Sequence, residues 1–127
     1  MRKLLGLVAA SLLGVTTAYS EPFSSMGIGM LTCAGFLEQY RSNPAIEDQL
    51  FDWAQGYMSG LNDALQDTIG KYRDLKSIPT AQQKQILRAF CANNAAAGYR
   101  EGINFLLNRL TIVPSTLPGA PLHPLQR

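Results

Sequence analysis

Apolar residues recur at steps of three and four through the middle of the chain, a spacing that predicts helices with one buried face. The longest such run follows Asn43-Pro44 and continues to about Asp67. Asn43 is predicted to cap this helix and Pro44 to occupy its first position. The predicted apolar face consists of Ile46, Leu50, Trp53, Tyr57, Leu61, Ala64 and Leu65.

Three shorter helices are predicted around this long one. The first covers residues 31–41 and has Thr32 as its N-cap. The next follows Pro79, begins with the run from Thr80 to Gln83 as a capping box, and ends near Cys91. The last covers residues 95–110, and its buried side chains are Tyr99, Ile103, Leu106, Leu107 and Leu110. No strand is predicted, so the sequence indicates an all-α domain over residues 31–110, a small four-helix bundle.

Both ends of the chain have a different character. Residues 1–20 have a positive start, Arg2-Lys3, an apolar run over residues 4–15 and then small residues, which is the layout of a cleavable signal peptide. We expect cleavage after Ser20, with Ala18 as the alternative; an uncleaved anchor helix is the competing interpretation. Residues 21–30 are predicted to be a flexible lead-in. Residues 111–127 contain four prolines and are predicted to be a disordered Pro-rich tail.

Export of the protein changes its charge. The full chain has 11 Lys and Arg against 9 Asp and Glu, a formal charge of +2. Loss of Arg2 and Lys3 with the signal peptide leaves equal numbers of both signs. A neutral mature protein lacks the basic surface that nucleic acids require, so nucleic acid is not an expected partner. The mature part also contains no stretch that would insert stably in a membrane, and a periplasmic location is predicted.

The chain has two cysteines, Cys33 and Cys91, and both lie in the mature part. In an oxidising compartment they are predicted to form a disulfide that closes the helical domain. Two free thiols or a metal site are the alternatives. The single histidine, His123, lies in the proline tail, so no metal site or other cofactor is predicted.

The long helix contains two glycines four residues apart, Gly56 and Gly60, and Ala64 extends the same small-residue face. An interior glycine costs a helix about 1 kcal/mol against alanine, so a contact is expected to offset it. Together with Trp53 and Tyr57, these residues are predicted to form a helix-packing or partner groove. Packing inside the monomer is favoured, and a homodimer seam or a ligand site are the alternatives.

Acidic residues on the long helix are the remaining candidates for catalytic groups. Asp63 and Asp67 are four residues apart, and so are Asp48 and Asp52. Paired carboxylates perform acid–base catalysis only in a shaped cleft, and a solvated face is the favoured interpretation. Since the chain offers no Ser/His/Asp or Cys/His arrangement, the protein is predicted not to be an enzyme.

Three motifs carry a resemblance to a known family: the run Thr32-Cys33-Ala34-Gly35-Phe36-Leu37, the run of residues 56–60, and Arg88-Ala89-Phe90-Cys91. They resemble the HdeA/HdeB type of periplasmic acid-stress chaperone. The resemblance implies a small exported four-helix protein with one disulfide that binds unfolded clients in acid. The Gly-Tyr-Met-Ser-Gly-Leu segment also resembles periplasmic immunity proteins of the Tai type. That second resemblance implies an inhibitor that binds a secreted hydrolase toxin.

The acid response implied by the first resemblance agrees with the charge of the chain. Carboxylates are protonated below about pH 3, which leaves the basic residues uncompensated, and self-repulsion then opens the fold. Seven apolar side chains are expected to be exposed by opening and to cover clients: Phe36, Leu50, Trp53, Tyr57, Leu61, Phe90 and Phe105.

Overall fold

Four helices follow one another along the chain, as the hydrophobic pattern predicts. Two short strands form an antiparallel ribbon in addition to them. A computed structural model of the protein describes residues 26–116. The predicted signal peptide, residues 21–25 and residues 117–127 lie outside the described residues. The helices are α1 (Cys33–Ser42), α2 (Ile46–Ile69), α3 (Thr80–Asn93) and α4 (Tyr99–Leu107). The strands are β1 (Lys71–Arg73) and β2 (Ile112–Pro114), and a 3-10 turn, Ile28–Met30, precedes α1.

The core lies where α3 packs against α1 and α4, with α2 across them. Phe36 of α1 and Tyr99 of α4 are in aromatic contact there, with ring centroids 4.9 Å apart. Ten side chains at the centre of the core are Cys33, Phe36, Leu50, Met58, Leu87, Cys91, Tyr99, Ile103, Leu106 and Leu110. None of the helices within residues 26–116 combines the length and the apolar character that a membrane span needs.

The predicted disulfide is confirmed. It joins Cys33, the first residue of α1, to Cys91 in the last turn of α3, and both cysteines are buried. The start of α1 is also held by backbone bonds, since Cys33 N–H donates to the Ala97 carbonyl and Ala34 N–H to the Ala95 carbonyl. The first amides of a helix have no partner inside it, so these two carbonyls satisfy them. As a result residues 95–98 form a turn, and the fourth helix begins at Tyr99 instead of residue 95.

Of the predicted helix caps, only Thr32 is confirmed: its hydroxyl accepts from Gly35 N–H at 3.1 Å. Asn43 does not cap α2. It ends α1, and α2 begins after Ala45 without a side-chain cap. The capping box from Thr80 to Gln83 is also wrong, because Thr80 is already the first residue of α3 and Pro79 occupies the N-cap position.

The residue before Thr80 is Pro79, which has no N–H to donate to a capping side chain. Gln83 is instead buried, and its amide Nε2 donates to the carbonyls of Leu75 and Ile78 at 2.7 and 2.6 Å. Gln83 therefore fixes the loop that leads into α3.

The absence of strands was a wrong prediction, and so was the disorder of residues 112–114. β1 and β2 pair antiparallel, with Tyr72 opposite Val113. The side chain of Asn62 on α2 accepts from Arg73 N–H and donates to Arg73 C=O, both at 2.8 Å. Gly70 ends α2 in the left-handed region, with φ 64°, and so turns the chain back along the helix. The ribbon is thus held against the second half of α2.

Part of the predicted flexible lead-in is also ordered against α2. Residues 26–30, called here the N-terminal segment, cover Trp53, whose Nε1 donates to the Met26 carbonyl at 3.2 Å. Gly29 is buried in this contact. A Cβ added at Gly29 would lie 2.0 Å from Trp53 Cε3, so only glycine fits this close approach.

Candidate functional site

The predicted groove on α2 does not form as one surface. Trp53 and Tyr57 stack on each other with ring centroids 5.5 Å apart, and Trp53 lies under the N-terminal segment. Gly56, Gly60 and Ala64 are on the exposed side of the helix. A Cβ at Gly56 or Gly60 would meet no atom within 4 Å. The favoured interpretation, close packing inside the monomer, is therefore wrong for both glycines.

The acids expected on a solvated face of α2 lie there. Asp63 and Asp67 are exposed on the same outward side as the two glycines. Gln55 and Ser59 border a hollow of about 460 Å³ against the loop before α3, and that hollow has no carboxylate in its lining. Among residues 26–116, no three His, Cys, Asp or Glu side chains gather into a metal site. Asp63 and Asp67 therefore do not line the hollow beside Gln55 and Ser59.

A different surface, between α3 and α4, has the shape of a binding site. We call it the α3–α4 groove, and its volume is about 430 Å³. Its apolar lining is Ile86, Ala89, Phe90 and Phe105, and its polar lining is Asn93, Asn94 and Arg109.

Two phenylalanines form the wall of the α3–α4 groove. The Phe90 and Phe105 rings are 5.0 Å apart at 43°, and Phe105 is 37% exposed. Phe90 is seated by Gly102 on α4, where a Cβ would lie 2.9 Å from Phe90 Cδ1. The Arg109 guanidinium lies 3.6 Å from the Phe105 ring centroid, a cation–π contact at the edge of the groove.

A charged cluster joins the first turn of α2 to α3. Glu47 pairs with Arg88, and Asp48 pairs with Lys84. The Glu47 side chain is only 13% exposed, whereas that of Asp48 is 75% exposed. An exposed pair such as Asp48–Lys84 contributes little to stability, so Glu47–Arg88 is the pair that matters here.

Aromatic rings complete the surroundings of this charged cluster. The Arg88 guanidinium lies 5.4 Å from the Tyr40 ring centroid on α1. Burial raises the pKa of the Tyr99 phenol above its ordinary value, and the negative charge of Glu47 raises it further. The first turn of α2 is therefore attached to α3 by two ion pairs, and Arg88 also contacts Tyr40 of α1.

Sequence reasoning missed both of these features. Asp48 was expected on a solvated face with Asp52, whereas Asp48 and its neighbour Glu47 lie in the first turn of α2 and pair with Lys84 and Arg88. The available signal was the spacing of Lys84 and Arg88, which places two cations on one face of α3. The α3–α4 groove left no comparable signal, because Phe90 was assigned to the core.

Comparison of the chain with protein-family models, with curated proteins and with solved structures gives no match.

Proposed function

We propose that this chain is a non-catalytic periplasmic binding protein, an acid-stress holdase that covers the apolar surface of unfolding proteins. The observation that supports the proposal is the attachment of α2 to α3 through Glu47–Arg88 and Asp48–Lys84. Both pairs require ionised carboxylates. The resemblance to the HdeA/HdeB type of chaperone supports the same activity.

Acid acts on the charged cluster first through lost pairing. Below about pH 3 carboxylates are protonated. Arg88, whose side chain is only 31% exposed, has Glu47 as its ion-pair partner. A partly buried charge without its partner is destabilising. Protonation of carboxylates along the whole chain also leaves a general excess of positive charge, which favours a more open chain.

Opening at the first turn of α2 uncovers apolar surface. Leu50, Phe51 and Met58 on the inward side of this helix are buried at neutral pH. The helix lies inside the loop of 58 residues closed by Cys33–Cys91. Its two ends therefore stay linked through the disulfide while its inward side becomes available to a client.

The test is aggregation of an unrelated periplasmic protein at pH 2, with and without an excess of the wild-type mature chain. We expect suppression of the aggregation. The variant Glu47→Gln/Asp48→Asn lacks both ion pairs, and we expect it to bind an apolar dye at a higher pH than the wild type. Asp63→Asn/Asp67→Asn is the matched control, since these exposed acids belong to neither pair.

Two results would contradict the proposal. Wild-type chain in excess that leaves the client aggregation at pH 2 unchanged would remove the holdase activity. A control variant whose dye binding shifts as far as that of Glu47→Gln/Asp48→Asn would show that general charge, and not the α2–α3 pairs, sets the opening.

A second candidate function is favoured by the α3–α4 groove, which is formed without any opening. An immunity-like inhibitor needs such a preformed surface, and exposed aromatic side chains with a neighbouring arginine are typical of the centre of a protein interface. A partner captured by the mature chain at pH 7 should be lost with Phe105→Asp. Ile69→Asp is the control, because Ile69 is 54% exposed and does not line the groove. Equal loss with both variants would exclude the groove as the binding surface.

A further inference from the structure

Two kinds of polar group line the α3–α4 groove. Among the residues that the structure describes, its lining has one charged side chain, Arg109, and no carboxylate. Asn93 and Asn94 donate through their side-chain nitrogens to the carbonyls of Ala89 and Phe90, both at 2.8 Å. Since each amide group bonds through its nitrogen, its oxygen can accept a hydrogen bond from a ligand. The groove therefore offers donors to a negative group and acceptors to N–H groups.

The position of Arg109 favours a carboxylate as the negative group. Its guanidinium lies 3.6 Å from the Phe105 ring centroid, so the ring covers a face of the guanidinium and leaves the N–H donors at its edge outside the contact. Arg109 belongs to neither ion pair found within residues 26–116. The planar fork of guanidinium donors matches the two oxygens of a carboxylate. A ligand carboxylate beside Phe105 would thus balance the charge of the groove.

The floor of the groove requires an apolar group on the same ligand. The Phe90 and Phe105 rings are 5.0 Å apart, and Ile86 and Ala89 extend the apolar surface around them. The volume of about 430 Å³ lies within the range of about 300–1,000 Å³ that is typical of sites for small ligands. The ligand that fits this lining combines an apolar side group with a carboxylate a short distance away.

We infer that the α3–α4 groove binds the C-terminus of a peptide or protein partner whose last residue is apolar. Arg109 binds the terminal carboxylate, the two phenylalanine rings contact the last side chain, and Asn93 and Asn94 accept from main-chain N–H groups. A free aliphatic or aromatic acid has no N–H group to donate, so the two asparagines favour a peptide. The inference rests on the second candidate function, for which it supplies the chemistry of the partner, and not on the holdase activity.

The test measures binding of two fluorescent hexapeptide pools to the whole mature chain at pH 7 by anisotropy. Both pools are randomised over Leu, Ile, Val and Phe in the last two positions; one ends in a free carboxylate and the other in an amide. We expect the free-acid pool to bind about ten-fold more tightly, because only it offers a charged acceptor to Arg109. Arg109→Gln should make the two pools bind equally. Phe105→Asp should weaken both by about ten-fold or more.

Arg41→Gln is the matched control for the loss of charge. Arg41 is exposed in the last turn of α1 and does not line the groove, so this variant should keep the preference of the wild type for the free-acid pool. Phenylpropionate is the probe for a small acid. It should displace the labelled free-acid pool only at a concentration about ten-fold or more above that of the unlabelled pool, since it lacks the main-chain N–H groups.

Four results would overturn the inference. They are no binding of either pool, equal binding of both pools to the wild type, a preference that Arg41→Gln abolishes as fully as Arg109→Gln, and displacement by phenylpropionate that is as effective as displacement by the peptides. The inference can also fail while the second candidate function survives. A partner of the mature chain that is lost with Phe105→Asp but retained with Arg109→Gln would keep the groove as the binding surface and overturn the terminal carboxylate.

Discussion

Replacement of Gly29 by alanine is the sharpest test of the contact between the N-terminal segment and α2. The added Cβ would lie 2.0 Å from Trp53 Cε3 and within 2.4 Å of two further ring atoms. Ordinary van der Waals contacts begin at 3.4 Å, so the ring or the backbone must move by more than an ångström. Overpacking of this kind typically costs about 1–3 kcal/mol of stability.

The upper limit of this effect is set by the position of Gly29 in the chain. The N-terminal segment is attached to α2 by packing on Trp53 and by the bond from Trp53 to the Met26 carbonyl. If relief of the clash costs more free energy than release of the N-terminal segment, the segment will detach. The loss of stability in Gly29→Ala then cannot exceed the free energy of that release. A loss that stops in this way measures the local stability of the segment.

Gly60→Ala is the matched control, since the same methyl group is added at an exposed position with no atom within 4 Å. Alanine is favoured over glycine inside a helix by about 1 kcal/mol, so this variant should be more stable than the wild type. The two variants are therefore expected to differ by about 2–4 kcal/mol in the free energy of unfolding.

The assay is urea unfolding followed by the fluorescence of Trp53, the single tryptophan of the chain, together with acrylamide quenching. Gly29→Ala should unfold at lower urea concentration and be quenched more strongly. Unchanged stability with stronger quenching would mean that only the segment has detached. A Gly29→Ala variant with the stability, emission and quenching of the wild type would refute the packing of Gly29 on the indole.

Three further predictions concern groups that hold the fold. Replacement of Cys33 and Cys91 by serine should lower the free energy of unfolding by about 4 kcal/mol in urea titrations, because an open loop of 58 residues gains entropy in the unfolded chain. Gln83→Leu leaves two loop carbonyls without their donor and should cost about 1–3 kcal/mol in thermal unfolding, whereas Asn62→Ala should chiefly speed amide exchange in β1. Because the folded state holds the pKa of Tyr99 above its ordinary value, the unfolded chain loses this proton first, and stability should fall as pH rises above about 10, less so in Tyr99→Phe.

The helices were predictable because their apolar faces are long enough to show a period. The inward residues expected on the last helix, Ile103 and Leu106 among them, are buried. On α2 the predicted face is right at Leu50 but wrong at Ala64, which is exposed, and Phe51, Ala54 and Met58 are buried without having been predicted. The strands were not predictable, since three residues are too few to show an alternation. Their pairing depends on Asn62, which lies on a helix and gives no local indication of the strand it contacts.

The glycines show where sequence reasoning lacked information about direction. A penalty for glycine inside a helix correctly raised the question of a compensating contact at Gly56 and Gly60. The helical period did not reveal that both glycines face outward. Small residues border the apolar face of α2, so the sequence does not define where that face ends. The close approach occurs instead at Gly29 and Gly102, which accommodate the rings of Trp53 and Phe90.

The two proposed binding surfaces are the inward side of α2 and the α3–α4 groove. They belong to different parts of the fold, so substitutions can change one without the other. The α1, α3 and α4 helices are joined by the disulfide and by backbone bonds, among them Tyr99 N–H to the Leu31 carbonyl. The first turn of α2 is joined to α3 by the side-chain ion pairs Glu47–Arg88 and Asp48–Lys84. The α3–α4 groove is lined only by residues of α3, α4 and the turns that follow them, so departure of α2 leaves its lining in place. Glu47→Gln/Asp48→Asn should therefore alter the response to acid and spare the groove, and Phe105→Asp should do the reverse. A single variant of either kind that abolishes both activities without unfolding the chain would contradict this division.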